Sequence, residues 1–386
     1  MRTDPYNTNT KLANCLSRVR QSPGLCEANK KLILDFHAEA VARGLSEKRC
    51  LKYLGTLQRL GSQLEKPFNE ADKHDVIRLL SWLESTGFKE WTKHDYKVIL
   101  KSFYKWLNNG DYPAIVSWVK TSMKNGSHKL PEELLTEEDV RALVGACTNP
   151  RDKAFVLTLY ESGCRISELL TLQVKNVKFD EHGGILRVTG KTGDRRVRVI
   201  SAAPAIALWL DNHPTSKGHL FCSLDGTSIN YSTANLLLRK LAKKAGISKR
   251  VNPHGFRHAR ATSLANKLTE AQMKEFFGWA QSSEMAAVYV HLSGRDVDDA
   301  LLGIYGVKPP EDARKERFVP KACPRCRETN SPASKYCSRC GSALDLTTAL
   351  EAEEQRSEAD ELMSRLVANP EVREFLVEKM SELEGK

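Results

Sequence analysis

No stretch of this 386-residue sequence approaches the ~20 consecutive apolar residues of a membrane span. The N-terminus, MRTDPYNTNTKLANC, lacks the apolar core of a signal peptide. Long internal repeats and low-complexity tracts are also missing. Cysteine is sparse, ten in all. Six (Cys15, Cys26, Cys50, Cys147, Cys164, Cys222) are scattered and four cluster between 323 and 340, so a secreted disulfide scaffold is excluded. A cytoplasmic chain with reduced thiols is the expectation.

What is present is ordinary globular material: 41% hydrophobic and 28% charged residues, enough to bury several cores and too much for a wholly disordered chain. The net charge of +11 is unevenly spread. Residues 346–386 hold 5 Lys/Arg against 11 Asp/Glu, net −6, leaving 54 against 37, net +17, for the rest. A basic body of this size favours a polyanion, nucleic acid before an acidic membrane surface.

Residues 1–24 carry no evident periodicity and read as an arm. From 25 to 108 the pattern is helical: Leu32, Phe36 and Ala40; Cys50, Leu54, Leu57 and Gly61; Val76, Leu79, Leu80 and Leu83. A fourth helix is predicted to open at Thr92, with Asp95 in capping-box position, and to present Tyr96, Ile99, Leu100, Phe103 and Leu107. Residues 109–130, rich in Gly, Asn and Lys, read as a linker, and 131–308 as a second, mostly helical domain. In it, Thr136 and Asp139 form a capping box, and Ile185–Thr189 and Arg196–Ile200 flank a turn containing Lys191 as a β-hairpin. A linker (309–320), a cysteine module (321–345) and an acidic helical tail (346–386) follow. The expected fold class is therefore mainly α with a small β-sheet.

Cys323-Pro-Arg-Cys326 and Cys337-Ser-Arg-Cys340 are two CxxC pairs ten residues apart, with Gly341 closing the second knuckle. Four thiolates at this spacing can surround one Zn²⁺, or iron as a second candidate. A closed four-sulfur site leaves no open coordination position, so the metal would be structural and the short module would depend on it to fold.

Four features of the second domain combine. Arg165 and Glu168, three residues apart in GCRISEL, can pair. Lys191 sits in the hairpin turn. His254 and Arg257 share a helical face in HGFRH. Tyr289 follows Gly278-Trp279, within VYVHL. In this order the set closely resembles the tyrosine recombinases (phage-type integrases), over roughly residues 25–305. The VYVHLS run and the appended cysteine module most resemble integrases of archaeal plasmids and viruses.

The resemblance implies a helical, SAM-like core-binding domain followed by an α+β catalytic domain. It implies an enzyme that cleaves and rejoins DNA strands at attachment sites through a 3′-phosphotyrosyl intermediate, integrating or excising a mobile element without ATP or catalytic metal. Tyr289 would be the nucleophile. Arg165 and Arg257 would donate to the non-bridging phosphate oxygens, which suits guanidinium forks better than ammonium groups. Lys191 would protonate the leaving 5′ oxygen, and His254 would assist proton transfer. Trp279 would donate its indole N–H where many relatives have His, with Glu168 as a supporting residue. Partners would be duplex attachment sites and further protomers in a homotetramer.

Lys120 and Lys124 in the linker, and Lys240, Lys243, Lys244, Lys249 and Arg250 ahead of His254, are candidate phosphate contacts. After Tyr289, the stripe Val297, Ala300, Leu301 and Ile304 could dock in cis or in a neighbouring protomer. Tyr305 reads as packing. The tail is expected to form two amphipathic helices, carrying Leu362, Met363, Leu366 and Val367, then Val372, Phe375, Leu376 and Met380, for self-association or contact with another protein. The alternatives are a type IB topoisomerase-like relaxing enzyme and a non-catalytic zinc-containing DNA-binding protein.

Overall fold

The computed structural model describes residues 4–122, 134–190, 193–265, 267–291, 305, 319–369 and 372–375. The chain divides into two compact units, residues 1–129 and 130–386.

The first unit is helical: α1 (Thr8–Gln21), α2 (Glu27–Ala42), α3 (Glu47–Gly61), α4 (Lys73–Ser85), α5 (Glu90–Leu107) and the single turn α6 (Ala114–Ser117). Its core stacks Ile33, Phe36, Leu54, Leu57, Leu60, Phe68, Leu79, Leu83, Leu100 and Phe103. The loop before α4 is pinned through Phe68. Its N–H donates to Asn29 Oδ1 at 2.8 Å, its carbonyl accepts from Tyr104 Oη at 3.0 Å, and its ring meets Phe103 edge-on at 4.9 Å. Gly61 sits tightly against its neighbours: a Cβ there would meet the end of Leu25 at 2.7 Å and the Phe68 ring at 3.0 Å. Asp72 caps α4 by accepting from His74 N and Asp75 N, while Asp75 accepts from Asp72 N.

Three expectations change in this unit. Residues 8–21 are not a loose arm: α1 packs on α3 and buries Cys15 and Val19 completely. The fourth predicted helix is α5; it starts at Glu90, and Asp95 pairs with Lys52 instead of capping. Part of the expected linker belongs to the core, since Val116 and Val119 are buried in it.

In the second unit, α7 (Glu137–Ala146), α8 (Pro150–Ser162) and α9 (Ile166–Leu170) lead into an antiparallel sheet. The sheet consists of β1 (Val177–Asp180), β2 (Gly183–Gly190) and β3 (Gly193–Val199), followed by α10 (Ala203–Asp211), α11 (Tyr231–Lys244), α12 (Pro253–Ala265), α13 (Glu270–Phe277) and α14 (Met285–His291). The predicted capping box of Thr136 and Asp139 opens α7. The hairpin pairs Leu186 with Val197 and Gly190 with Gly193, and Leu186, Val188, Val197 and Val199 all turn into the core. β1 is an additional strand that the sequence pattern did not reveal.

Helix α8 is the axis of this unit: it packs against α7, α10 and α12 and is buried from Ala154 to Ser162. Near its C-terminus, the buried Glu161 carboxylate accepts from Ile200 N (2.8 Å), Ser201 N (3.0 Å) and Ala202 N (2.7 Å). Ala202 is the N-cap of α10 and the other two amides lie just before it, so the contact satisfies backbone donors and places an anion at the positive end of a helix.

The cysteine module carries the short strands β4 (Lys321–Ala322) and β5 (Thr329–Asn330) and precedes α15 (Leu346–Ala368). On α15, Leu350, Leu362, Met363, Leu366 and Val367 are exposed, as is Phe375 beyond it. Tyr305 is 80% exposed, so it is not a packing residue. The stripe Val297, Ala300, Leu301 and Ile304 lies outside the described residues, as do Lys124, Lys191, Leu376 and Met380.

Candidate active site

The site grows from the ends of two helices. Gly163 closes α8 and Gly278 closes α13, both left-handed at φ +54° and +59°. A helix C-terminus leaves carbonyls without intrahelical donors. Here arginines serve them. Arg257, on α12, donates to Gly163 O at 2.8 Å and to Phe277 O at 2.7 Å. Arg165, at the start of α9, donates to Gly278 O at 3.0 Å, and Arg195, on β3, to Phe276 O at 3.0 Å. Cations are favoured at this end of the helix dipole.

A single buried carboxylate joins two of these arginines. Glu168, 2% exposed, accepts from Arg195 at 2.7 and 3.0 Å, from the Arg165 side chain at 3.0 Å and from Arg165 N at 2.9 Å. Burial pushes this carboxyl up, but the bonds from Arg195 and Arg165 outweigh it, and the net shift is downward. Three guanidiniums against one carboxylate leave surplus positive charge. Burial and the neighbouring Arg165 bring Arg257 down to about 10. Arg257 is 5% exposed, whereas the Arg165 side chain remains a third open to solvent. Such a centre is built to receive an anion.

Arg195 was not among the residues singled out from the sequence. Its signal was its parity: it shares the inward face of β3 with Val197 and Val199, an unusual place for a charge. Gly190, across the hairpin, must be small because a Cβ there would run into the Glu168 carboxylate.

Tyr289 lies on α14, 3% exposed, in an apolar cluster with Ala261, Met273, Phe277 and Ala286. Its ring stacks on Trp279 with centroids 5.7 Å apart and planes at 3°. The Arg257 guanidinium lies 5.6 Å from the Trp279 centroid and 5.1 Å from that of Phe277. Burial pushes the Tyr289 phenol up to about 12, while Arg257 pulls the other way. The Tyr289 hydroxyl is hydrogen-bonded to Nδ1 of His258, a residue absent from the expected set. His254 is exposed one turn earlier on α12 and packs edge-on against the His258 ring at 4.1 Å.

Arg165, Glu168, Arg257, Trp279 and Tyr289 are thus gathered in one place, with His254 at its edge. Of the basic residues, Lys120, Lys240, Lys243 and Arg250 are exposed. Two others have internal partners: Lys244 donates to Ala146 O at 2.9 Å, and Lys249 to Leu134 O at 3.2 Å and Asp139 Oδ2 at 2.8 Å.

In the cysteine module the four Sγ atoms all lie within 4.8 Å of one another, with Cys323–Cys340 at 3.6 Å and Cys326–Cys337 at 3.5 Å. With metal–sulfur bonds of ~2.3 Å, the edge of a tetrahedral four-thiolate site is about 3.8 Å, so the donor set fits a metal ion. The two knuckles repeat one geometry. Arg327 N bonds Cys323 O at 3.0 Å and Gly341 N bonds Cys337 O at 3.0 Å, and both residues have positive φ.

Residues 133–295 match the phage integrase family. The chain is 25% identical over 269 residues to the tyrosine recombinase XerD of Pseudomonas putida, covering 65% of this chain and 89% of that protein. In fold it is similar to the XerH site-specific recombinase in a post-cleavage complex with palindromic difH substrate (TM-score 0.55, 16% identity, 78% of this chain and 97% of that one). It is likewise similar to a lambda integrase tetramer bound to a Holliday junction (TM-score 0.53, 14% identity, 67% and 76%). No described helix is long and apolar enough to cross a membrane. The arginine centre and the buried tyrosine thus lie within the stretch that matches the phage integrase family, and the chain as a whole is similar to tyrosine recombinases.

Proposed function

We propose that the protein is a site-specific DNA recombinase that breaks and rejoins strands through a covalent bond to Tyr289. The observation that carries this reading is the placement of Tyr289 beside an arginine centre that holds surplus positive charge. Arg165 and Arg257 are held by helix-end carbonyls, which leaves the remaining guanidinium donors preorganised for the non-bridging oxygens of one phosphodiester. Glu168 and Arg195 position Arg165. Trp279 supplies an indole N–H donor, His254 assists proton transfer, and Lys191 protonates the departing 5′ oxygen. The phosphotyrosyl bond stores the energy of the broken linkage, so rejoining needs no nucleotide. The partners are duplex attachment sites and further protomers assembled on them. Cys323, Cys326, Cys337 and Cys340 hold a structural Zn²⁺, which supplies folding energy to the module and takes no part in the chemistry.

The test uses a pool of nicked duplexes of random core sequence, in which cleavage releases a short strand and traps the protein. Wild-type protein is expected to form a covalent adduct, and sequencing the trapped DNA identifies the site. Tyr289→Phe should form none. An adduct with the Phe variant would remove Tyr289 as nucleophile, and efficient relaxation of plasmids lacking the recovered site would favour a topoisomerase instead.

A further inference from the structure

The environment of Tyr289 raises a chemical problem that the arginine centre does not solve. A phenol must lose its proton as it attacks phosphorus, and Tyr289 is almost wholly enclosed, among Ala261, Phe277 and Ala286 with Trp279 stacked on its ring. A free phenolate is disfavoured there by desolvation, so ionisation has to accompany attack, and an acceptor must already touch the hydroxyl. Among the described residues one group does. His258 Nδ1 is hydrogen-bonded to Tyr289 Oη. When the phenol donates this bond, Nδ1 accepts and the ring is neutral with its proton on Nε2.

From this geometry we infer that His258 is a catalytic residue, the general base that takes the Tyr289 proton. The inference rests on the assignment of Tyr289 as nucleophile. In the step, the Tyr289 Oη–H bond breaks and its proton passes to His258 Nδ1, giving an imidazolium. The Oη lone pair forms the new bond to phosphorus, and the bond from phosphorus to the 5′ oxygen breaks with its electron pair going to that oxygen. The 5′ oxygen takes a proton from an ammonium, the role proposed for Lys191. The reverse step returns each proton to its origin. His254, exposed and edge-on to the His258 ring, lies one turn away and does not make this contact; no hydrogen bond from Tyr289 to it is observed. Two histidines four residues apart on α12 thus divide the labour, one at the nucleophile and one toward solvent.

The experiment measures single-turnover adduct formation by the full-length protein on the recovered nicked duplex. His258→Asn is the main variant, because its side chain can still accept a hydrogen bond and fill space but cannot take up a proton; His258→Ala accompanies it. Both should slow adduct formation by roughly 10²–10⁴-fold, with DNA affinity and thermal unfolding close to wild type. Replacing Tyr289 by 3,5-difluorotyrosine, a more acidic phenol, should restore most of the lost rate in the His258→Asn background and change the wild-type rate little. A 5′-bridging phosphorothiolate, whose leaving group needs no proton, should relieve Lys191→Ala but not His258→Asn.

Unimpaired cleavage by His258→Asn would overturn the inference. So would a defect that fluorination fails to rescue, which would make His258 a packing residue, or relief by the phosphorothiolate, which would move it to the leaving-group side. Failure of the underlying assignment is separate, because wild-type protein would then form no adduct through Tyr289 at all.

Discussion

Removing Arg195 tests the arginine centre most directly. In Arg195→Met, Glu168 loses two bonds of 2.7 and 3.0 Å and Phe276 O loses its donor, while the Arg165 side chain and Arg165 N still hold one face of the carboxylate. Breaking a buried pair and stranding one partner costs ~3–5 kcal/mol, and the contacts that remain place this case near the lower end, about 3 kcal/mol. For a unit of this size each kcal/mol moves the melting temperature by about 2–4 °C, so the calorimetric transition of residues 130–386 should fall by roughly 6–12 °C.

The sign of the pH dependence follows from the downward shift of Glu168 in the intact protein. Its stabilising contribution is complete above the unfolded carboxylate value of ~4.3 and is lost as pH falls through the lower folded value. In the variant, burial acts with less opposition, and the Glu168 carboxyl moves upward. The gap between wild type and variant should therefore be widest near neutrality and narrow below about pH 4. The double variant Arg195→Met/Glu168→Gln, with no stranded charge, should recover part of the loss. A gap below about 1 kcal/mol at neutral pH, or one of equal size at both ends of the pH range, would refute the account of a charge-compensated buried carboxylate.

The other predictions concern the metal and the DNA. Purified protein should contain about one zinc per chain by elemental analysis. Chelation, or Cys337→Ser, should abolish hydrogen-exchange protection of the β4–β5 amides while leaving α8 protected; metal-free protein with full protection there would argue against a structural ion. If Lys240 and Lys243 contact phosphates, changing either to Gln should reduce the slope of log affinity against log salt by about 0.9. Lys249→Gln should leave that slope unchanged and cost about 0.5–1 kcal/mol of stability, because its ammonium is spent on Asp139 and Leu134.

Local signals in the sequence were read well where the structure they specify is local. Thr136 and Asp139 are three residues apart and form the predicted box, and the hairpin of β2 and β3 follows from alternation around a Gly-rich turn. Helix α1 escaped because its buried stripe is short and carried partly by a cysteine, with Cys15 and Val19 buried only once α3 lies against them. Asp95 stood at a plausible cap position, but the backbone turns helical two residues before Thr92 and the side chain finds Lys52 instead. The candidate site was legible as a set of residues and illegible as a set of contacts. Arg165 reaches Gly278 across 113 residues and Arg257 reaches Gly163 across 94, distances over which no periodicity carries information. Arg195 and His258 went unread for the same reason, since each acquires its meaning from a partner in another element.

The uneven count of charges around Glu168 has a consequence for the reaction itself. Arg165, Arg195 and Arg257 against one carboxylate leave two unmatched positive charges. A phosphodiester brings one negative charge, and so does the phosphotyrosyl diester that replaces it. Only the five-coordinate phosphorane between them carries two. If Tyr289 attacks a phosphodiester there as proposed, these three arginines compensate the phosphorane better than either diester that flanks it. Because the two flanking diesters carry the same charge, the arginines in that reading speed cleavage and religation alike and favour neither.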